Sequence, residues 1–319
     1  MSEVERRMAL VATRHYLDGL SRIEIADELE ISRFAVARLL EQARERGIVR
    51  FEIASPDDLD LGLSAQLRAA FQLRHAIVVH APGGAEDTLK RRLGTAAARL
   101  IEEVMTPGEV LGLAAGRTLR QMVMAFQSLP PVDVVQLEGV AAGLQESGVE
   151  LVRHAARVSG GTPHALLAPL LTRSDETAEL LRDEPAARET FARFSEVTTA
   201  VVGIGSWNPE DSQVSMLAGQ LGIRESLLDA GVRADLGAVL LDIDGAVVEN
   251  AVGRSVGIDA PGLRNVPHVL AVAGGPLKFV AVRAALRSGL IHSLACDAST
   301  AQALLADASR TDPHRRSDS

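Results

Sequence analysis

The sequence predicts an α/β protein in two parts: a winged helix-turn-helix over residues 1–54 and a mostly parallel-sheet α/β domain over residues 55–319. Three observations point that way. The first 54 residues carry three helix-spaced apolar stripes, separated by tight turns and closed by a strand-like alternation. From Ala76 onward, short apolar runs alternate with amphipathic helical stretches, the pattern of a parallel sheet covered on both faces. Several of those runs end in glycine-rich or acidic turns, where open α/β sheets bind ligands.

Each element follows from local pattern. Residues 4–18 read as a helix with Val4, Met8, Val11, Ala12 and Tyr16 on one stripe, ended by Gly19. Ser21 with Glu24 three residues on is a capping-box pattern before a short helix whose apolar positions are Ile23, Ile25, Ala26 and Leu29. Glu30-Ile31 makes a tight turn, and Ser32 caps a third helix carrying Val36, Leu39, Leu40 and Ala43. Gly47 stops it, and residues 48–53 alternate like a short strand. Ser55-Pro56-Asp57-Asp58 reads as a linker. The amphipathic stretch 59–73 suits either a helix packed on its own domain or a dimerisation helix. Beyond it, strands are expected near 77–79, 110–114, 132–137, 165–171, 198–204, 236–242, 269–273 and 292–296. Helices are expected over 89–105, 119–126, 148–158, 176–194 with a break at Pro185, 278–288 and 298–306.

Composition narrows the function. The chain has 319 residues, is 47% hydrophobic and carries a formal charge of −9, so it buries a sizeable core and is no general nucleic-acid coat. Nine arginines against ten acidic residues give residues 1–54 a net of −1, leaving −8 on the rest. A DNA reader here needs its arginines gathered on one face. Cys296 is the only cysteine, which excludes an intramolecular disulfide and a cysteine-cage metal site. The histidines show no HxH or HExxH spacing, so neither a metal nor a cofactor is expected. No run reaches the roughly 18 apolar residues of a membrane helix, and MSEVERRMAL lacks a signal-peptide core; the default expectation is cytoplasmic, with no membrane partner. Only two lysines occur, Lys90 and Lys278, in a chain that otherwise uses arginine.

Five strand-end turns carry candidate chemistry: Gly116-Arg117-Thr118, Glu138-Gly139, Gly203-Ile204-Gly205, Asp242 and Gly274-Gly275. Gly116-Arg117-Thr118 opens a helix and suits an anion: glycine permits close approach, the helix start offers free N–H groups, and Arg117 and Thr118 add donors. An ordinary strand-to-helix turn has the same look, and no Walker sequence follows. Lys278 falls in the first turn of a helix, where a cation opposes the macrodipole and a bound anion relieves the conflict. Glu138 and Asp242 end strands and suit sugar hydroxyls, caps or acid–base chemistry. Lys90 reads as an ordinary surface lysine. Trp207 either roofs a pocket or fills the core edge, with the core favoured.

These segments resemble the SorC family of sugar-binding transcriptional regulators. The likeness runs through HYLDGLSRIEIADELEISRFAVARLLEQARERGIVRFEI, then LGLAAGRTL, VVQLEG, VVGIGS, LLDIDG and VLAVAGGPLKFVAVRAALRSGLIHSLACDASTAQALL, in the family's order. The resemblance implies an effector domain related to ribose-5-phosphate isomerases and glucosamine-6-phosphate deaminases. It also implies a bound sugar, usually phosphorylated, facing Gly116 to Thr118 and Gly274 to Lys278, and no catalysis. The chain departs from the family at Ala115, where tryptophan is common, at Glu138, where asparagine is common, and at Ala234-Asp235, where glycine-aspartate is. A carboxylate at 138 repels a phosphate and suits a hydroxyl better.

The third helix is then the recognition helix. Arg33 is the candidate for a bidentate guanine contact, Ser32 for a phosphate or base edge, and Phe34 for a thymine methyl or the core. Arg38 and Arg22 suit phosphates, and Ser21 lies beside Arg22 at the start of the preceding helix. The expected partners are operator DNA with paired half-sites about 10 bp apart or multiples of that, a sugar or sugar-phosphate effector, and a second copy in a homodimer or homotetramer. The competing expectation is a sugar-phosphate isomerase or deaminase with an appended DNA-binding domain.

Overall fold

Caps and turns shape the start of the chain. Helix α1 (Glu3–Tyr16) is followed by α2 (Arg22–Glu28), which Ser21 and Glu24 start reciprocally: Ser21 Oγ accepts the Glu24 N–H at 3.3 Å and Glu24 Oε2 accepts the Ser21 N–H at 2.8 Å. Glu30, left-handed at φ 51°, turns the chain into α3 (Arg33–Glu45), where Ser32 Oγ accepts from Ala35 N at 3.1 Å. Met8, Val11, Ala12, Ile25, Ala26, Val36, Leu40 and Ala43 form one small core. Val4, Tyr16 and Ile23 stay exposed, outside the narrower stripe that reaches this core. The computed structural model describes residues 3–49, 59–80, 86–141, 148–248 and 254–311. Ile48 and Val49 form a turn rather than a strand start, with Val49 N–H on Ala43 O at 3.0 Å. The rest of the expected strand and the linker at 55–58 lie outside the described residues.

The chain divides into two units, Met1–Ser55 and Pro56–Ser319. The second opens with α4 (Leu61–Phe71), capped by Asp60, whose Leu63, Leu67 and Phe71 join the core of its own domain. This helix therefore packs on its own domain.

Seven parallel strands build the sheet: β1 (His75–Val79), β2 (Val110–Leu113), β3 (Asp133–Gln136), β4 (Pro163–His164), β5 (Thr199–Trp207), β9 (His268–Val272) and β10 (Ser293–Asp297). Their spatial order is β1-β10-β9-β5-β2-β3-β4. Every residue of β2, β9 and β10 is buried, as a sheet covered on both faces requires. Helices α5 (Glu86–Val104), α6 (Arg117–Ala125) and α7 (Gly148–Ser159) link the first strands. Pro185 breaks the expected long helix into α8 (Asp175–Asp183) and α9 (Pro185–Arg193). The expected strand over 165–171 is not formed: the short β4 precedes it, and isolated bridges at Pro169 and Leu171 are all that pairs within it.

Strand β5 runs past Ile204 because its second half pairs antiparallel with β6 (Glu210–Asp211) and β7 (Ala234–Leu236). The expected strand over 236–242 is instead a hairpin of β7 and β8 (Val239–Leu241). Helices α10 (Gln213–Gln220) and α11 (Arg224–Asp229) fill the connection; α12 (Ala260–Asn265), α13 (Phe279–Arg287) and α14 (Ala298–Thr311) complete the unit. Strand order reverses between β2 and β5: β3 and β4 continue to one side, β9 and β10 to the other. A ligand crevice is expected beyond the carboxyl ends at such a reversal. Among the described residues, no helix is long and apolar enough to cross a membrane.

Candidate functional site

Beyond the carboxyl ends of β2, β3, β5 and β9 lies a chamber of about 90 Å³. Gly116, Arg117, Thr118, Glu138, Gly139, Gly203, Gly205, Gly274 and Lys278 all line it. It shares Arg117, Asp211 and Gly274 with a neighbouring cavity of about 670 Å³, where Gly275 sits. Asp242 lies apart from both. Its Oδ1 accepts the N–H groups of Asp244 and Ala246 at 2.9 Å each, so this carboxylate caps a turn after β8. That corrects its expected place in the site, and the cause is the hairpin that replaces a sixth parallel strand. Gly203 and Gly205 lie within β5 rather than in a turn beyond it.

No side chain caps α6, which begins at Gly116, so its first-turn N–H groups face the chamber without a protein acceptor from a cap. Beside it the cations are already engaged. Arg117 is held by Asp211 at 2.5 Å and Glu86 at 3.1 Å. Lys278 Nζ donates to Ile204 O at 2.9 Å and Asp211 O at 2.5 Å, and lies 3.2 Å from Asp211 Oδ2. Protein oxygens thus relieve the dipole conflict that the sequence pattern assigns to a ligand anion, and Lys278 is tied into the ligand-free fold. Burial draws the ammonium pKa down, with Asp211 opposing. Burial pushes Asp211 up, but Lys278 and Arg117 outweigh it and hold the carboxyl below its usual range.

Lys90 also lines the chamber, with its ammonium on Glu86 and its side chain 14% exposed. It is not the ordinary surface lysine expected. Both lysines of the chain therefore belong to one ion-paired arc, Lys90–Glu86–Arg117–Asp211–Lys278, with three cations against two carboxylates.

Two buried carboxyls form the inner wall. Glu138 Oε1 accepts the Ala115 N–H at 2.6 Å; burial pushes its pKa up to about 8, with that hydrogen bond opposing and Asp235 adding. Asp235 Oδ2 accepts from Ser212 Oγ at 2.5 Å and Trp207 Nε1 at 2.8 Å; burial pushes it up to about 6 against those bonds and Lys278. A Cβ on Gly205 would lie 2.0 Å from Asp235 Oδ2, so only glycine lets β5 pass this carboxyl. Trp207 is fully buried and fills the core edge. Asp235, Asp211 and Ser212 also line the chamber, and none is among the residues expected there. The available signal was an aspartate inside an apolar strand pattern, Ala234-Asp235-Leu236.

In the first unit, Ser21, Arg22, Ser32, Arg33, Phe34 and Arg38 are all exposed. Phe34 is 72% exposed and so is no core residue; the Arg33 guanidinium lies 5.0 Å from its ring centre. Both serine hydroxyls accept a cap bond and keep an O–H to donate.

A chamber at the strand-order reversal, rimmed by cations and lined by buried carboxyls, is the arrangement that ligand-binding α/β domains present. The sugar-binding domain family model, Sugar-bind, matches residues 58–306. Transcriptional regulator LsrR of Escherichia coli K12 is 30% identical over 308 residues, covering 94% of this chain and 95% of that protein. LsrR of Klebsiella pneumoniae is 31% identical over 312 residues, covering 96% and 94%. The crystal structure of the full-length sorbitol operon regulator SorC from Klebsiella pneumoniae matches with a TM-score of 0.71 at 25% identity, covering 95% of this chain and all of that one. This chain belongs to the SorC family of sugar-binding transcriptional regulators.

Proposed function

We propose that the protein is a DNA-binding transcriptional regulator whose operator affinity is set by a sugar or sugar phosphate held in the chamber between β2 and β5. The carrying observation is the convergence there of both lysines, Arg117 and the uncapped start of α6. An anion seated at α6 gains the helix N–H groups and competes with Asp211 and Glu86 for Arg117. Residues 1–54 read DNA through Arg33 and Phe34 at the start of α3, with Arg22, Arg38, Ser21 and Ser32 on phosphates. Residues 55–319 hold the effector and bring copies together as a homodimer or homotetramer, since one three-helix module covers little DNA. The effector changes operator affinity by as much as its affinity differs between the two states.

A thermal-shift screen of neutral and phosphorylated sugars, followed by anisotropy with promoter DNA, tests this. A phosphorylated sugar is expected to raise the melting temperature and to change DNA affinity. No stabilisation by any sugar or sugar phosphate, or a stabilising ligand that leaves DNA affinity unchanged, overturns it. One observation keeps an enzyme in view: Glu138 and Asp235 are buried carboxyls with raised pKa facing the same chamber. An NMR time course with aldose and ketose phosphates separates the two, because turnover abolished by E138Q replaces the regulator-only proposal.

A further inference from the structure

One buried oxygen of the chamber wall has no partner. Glu138 is 4% exposed, and while Oε1 takes the Ala115 N–H, Oε2 has no hydrogen-bond partner among the described residues. Native interiors pair nearly all such atoms, so an orphan beside a cavity marks a missing ligand group. The local backbone is shaped around it. Gly237 turns the β7–β8 hairpin at φ +60°, and a Cβ there would lie 2.5 Å from Oε2. Glu138 and Gly237 both line the chamber.

The protonation state follows from the surroundings. Burial favours the neutral acid, the Ala115 N–H opposes it, and the Asp235 charge on β7 adds to it. The other charged groups lining the chamber are Lys90 on α5, Arg117 on α6, Asp211 on β6 and Lys278 before α13. Three of these are cations, but all four are committed to the ion-paired arc and none bonds Glu138. With Oε1 accepting from Ala115, the proton belongs on Oε2, the oxygen without a partner.

We propose that Glu138 recognises the effector as a neutral acid: its Oε2–H donates to an oxygen of the bound sugar or sugar phosphate, and binding is lost when the acid ionises. The proposal rests on the chamber being the effector site. It removes the repulsion expected between residue 138 and a phosphate, because a neutral acid donates to a phosphoryl oxygen as readily as to a hydroxyl. It makes effector affinity proton-linked. Affinity is full below the folded-state pKa and falls as pH rises through it, since only the protonated form binds. A phosphate monoester is already dianionic over this range, so it adds no slope.

The test uses the full-length protein with carboxyl-¹³C glutamate, and ribose 5-phosphate and glucose 6-phosphate as probes. The carboxyl resonance absent from E138Q is expected to be that of a neutral acid at pH 7, ionising near pH 8. Calorimetry is expected to show about tenfold weaker probe binding at pH 9 than at pH 7 for wild type. Over the same range E138Q is expected to show no such slope, whatever its affinity. A Glu138 resonance already ionised at pH 7 overturns the proposal, with or without a probe. So does binding that is flat with pH in wild type, or a slope that persists in E138Q. If no probe binds at millimolar concentration, the sugar-phosphate site itself fails and the proposal falls with it; that outcome is distinct, because in the others binding survives.

Discussion

The two units use the same kind of charge in opposite ways. In the first, Arg22, Arg33 and Arg38 are exposed and none forms an ion pair with a described residue. In the second, Lys90, Arg117 and Lys278 are clasped by Glu86 and Asp211 around a chamber. Free guanidinium groups suit a polyanion that arrives from outside and needs no fixed geometry. Clasped cations hold set positions and reward only a ligand able to replace their carboxylates. The net charge of −9 conceals this contrast, since what matters is which cations are already satisfied.

Breaking the clasp gives the largest expected effect. Lys278→Ala leaves Asp211 half-buried with one partner fewer and strips donors from two backbone carbonyls. Loss of about 3 kcal/mol in unfolding free energy is expected, from the usual cost of removing one partner of a buried ion pair. Urea denaturation at pH 7 checks it, and an unchanged midpoint would mean the arc is ornamental. Glu138→Gln acts in the other direction. A carboxyl with a raised folded pKa contributes stability below its unfolded value near 4.5, and that contribution is lost as pH rises towards about 8. Wild type therefore bears a protonation cost at pH 8 that the amide lacks. E138Q is expected to be more stable there, on the order of 4 kcal/mol at most, and to converge with wild type near pH 4.5. A difference that does not vary with pH sinks this assignment.

Much of the framework was legible because local chemistry decides it. Ser21, Glu24, Ser32 and Pro185 act within a few residues, and the helices begin where they say. Buried parallel strands read as apolar runs interrupted or ended by glycine, so four of the five segments meet at the chamber. Asp242 failed because one apolar run of seven residues looks the same whether it is one strand or a tight hairpin; only pairing with β5 distinguishes them. Lys278 was found, but its partners were not, since Ile204 and Asp211 reach it from strands far along the chain. Lys90 was passed over although its rarity was as plain as that of Lys278. Helical spacing cannot reveal that α5 carries it to the same chamber.

Arg33→Ala probes the exposed half of the comparison. The exposed side chain lies over the Phe34 ring, so the fold is expected to be unchanged. If Arg33 makes the proposed bidentate guanine contact, its loss is expected to weaken specific operator binding by roughly 1–3 kcal/mol while barely changing affinity for random DNA. Anisotropy with both duplexes measures the difference. Equal losses on both would reassign Arg33 to phosphate, and a fall in melting temperature would contradict its exposure.

Ser32→Ala gives the smallest effect and tests whether one side chain serves both fold and DNA. Ser32 Oγ accepts the Ala35 N–H, and loss of such a cap costs about 1 kcal/mol of local helix stability. Its O–H remains free for a phosphate, so DNA affinity is expected to fall by a similar factor on specific and random duplexes. Hydrogen exchange separates the two roles: faster exchange is expected in α3 and its core partners, with β2, β5 and β9 unchanged. Ser32→Asp sharpens the outcome. Aspartate caps as well as serine but carries a charge that repels phosphate, so it should restore the α3 exchange rates and weaken DNA binding further. If Ser32→Asp restores both, the hydroxyl acts only through the helix and has no phosphate contact of its own.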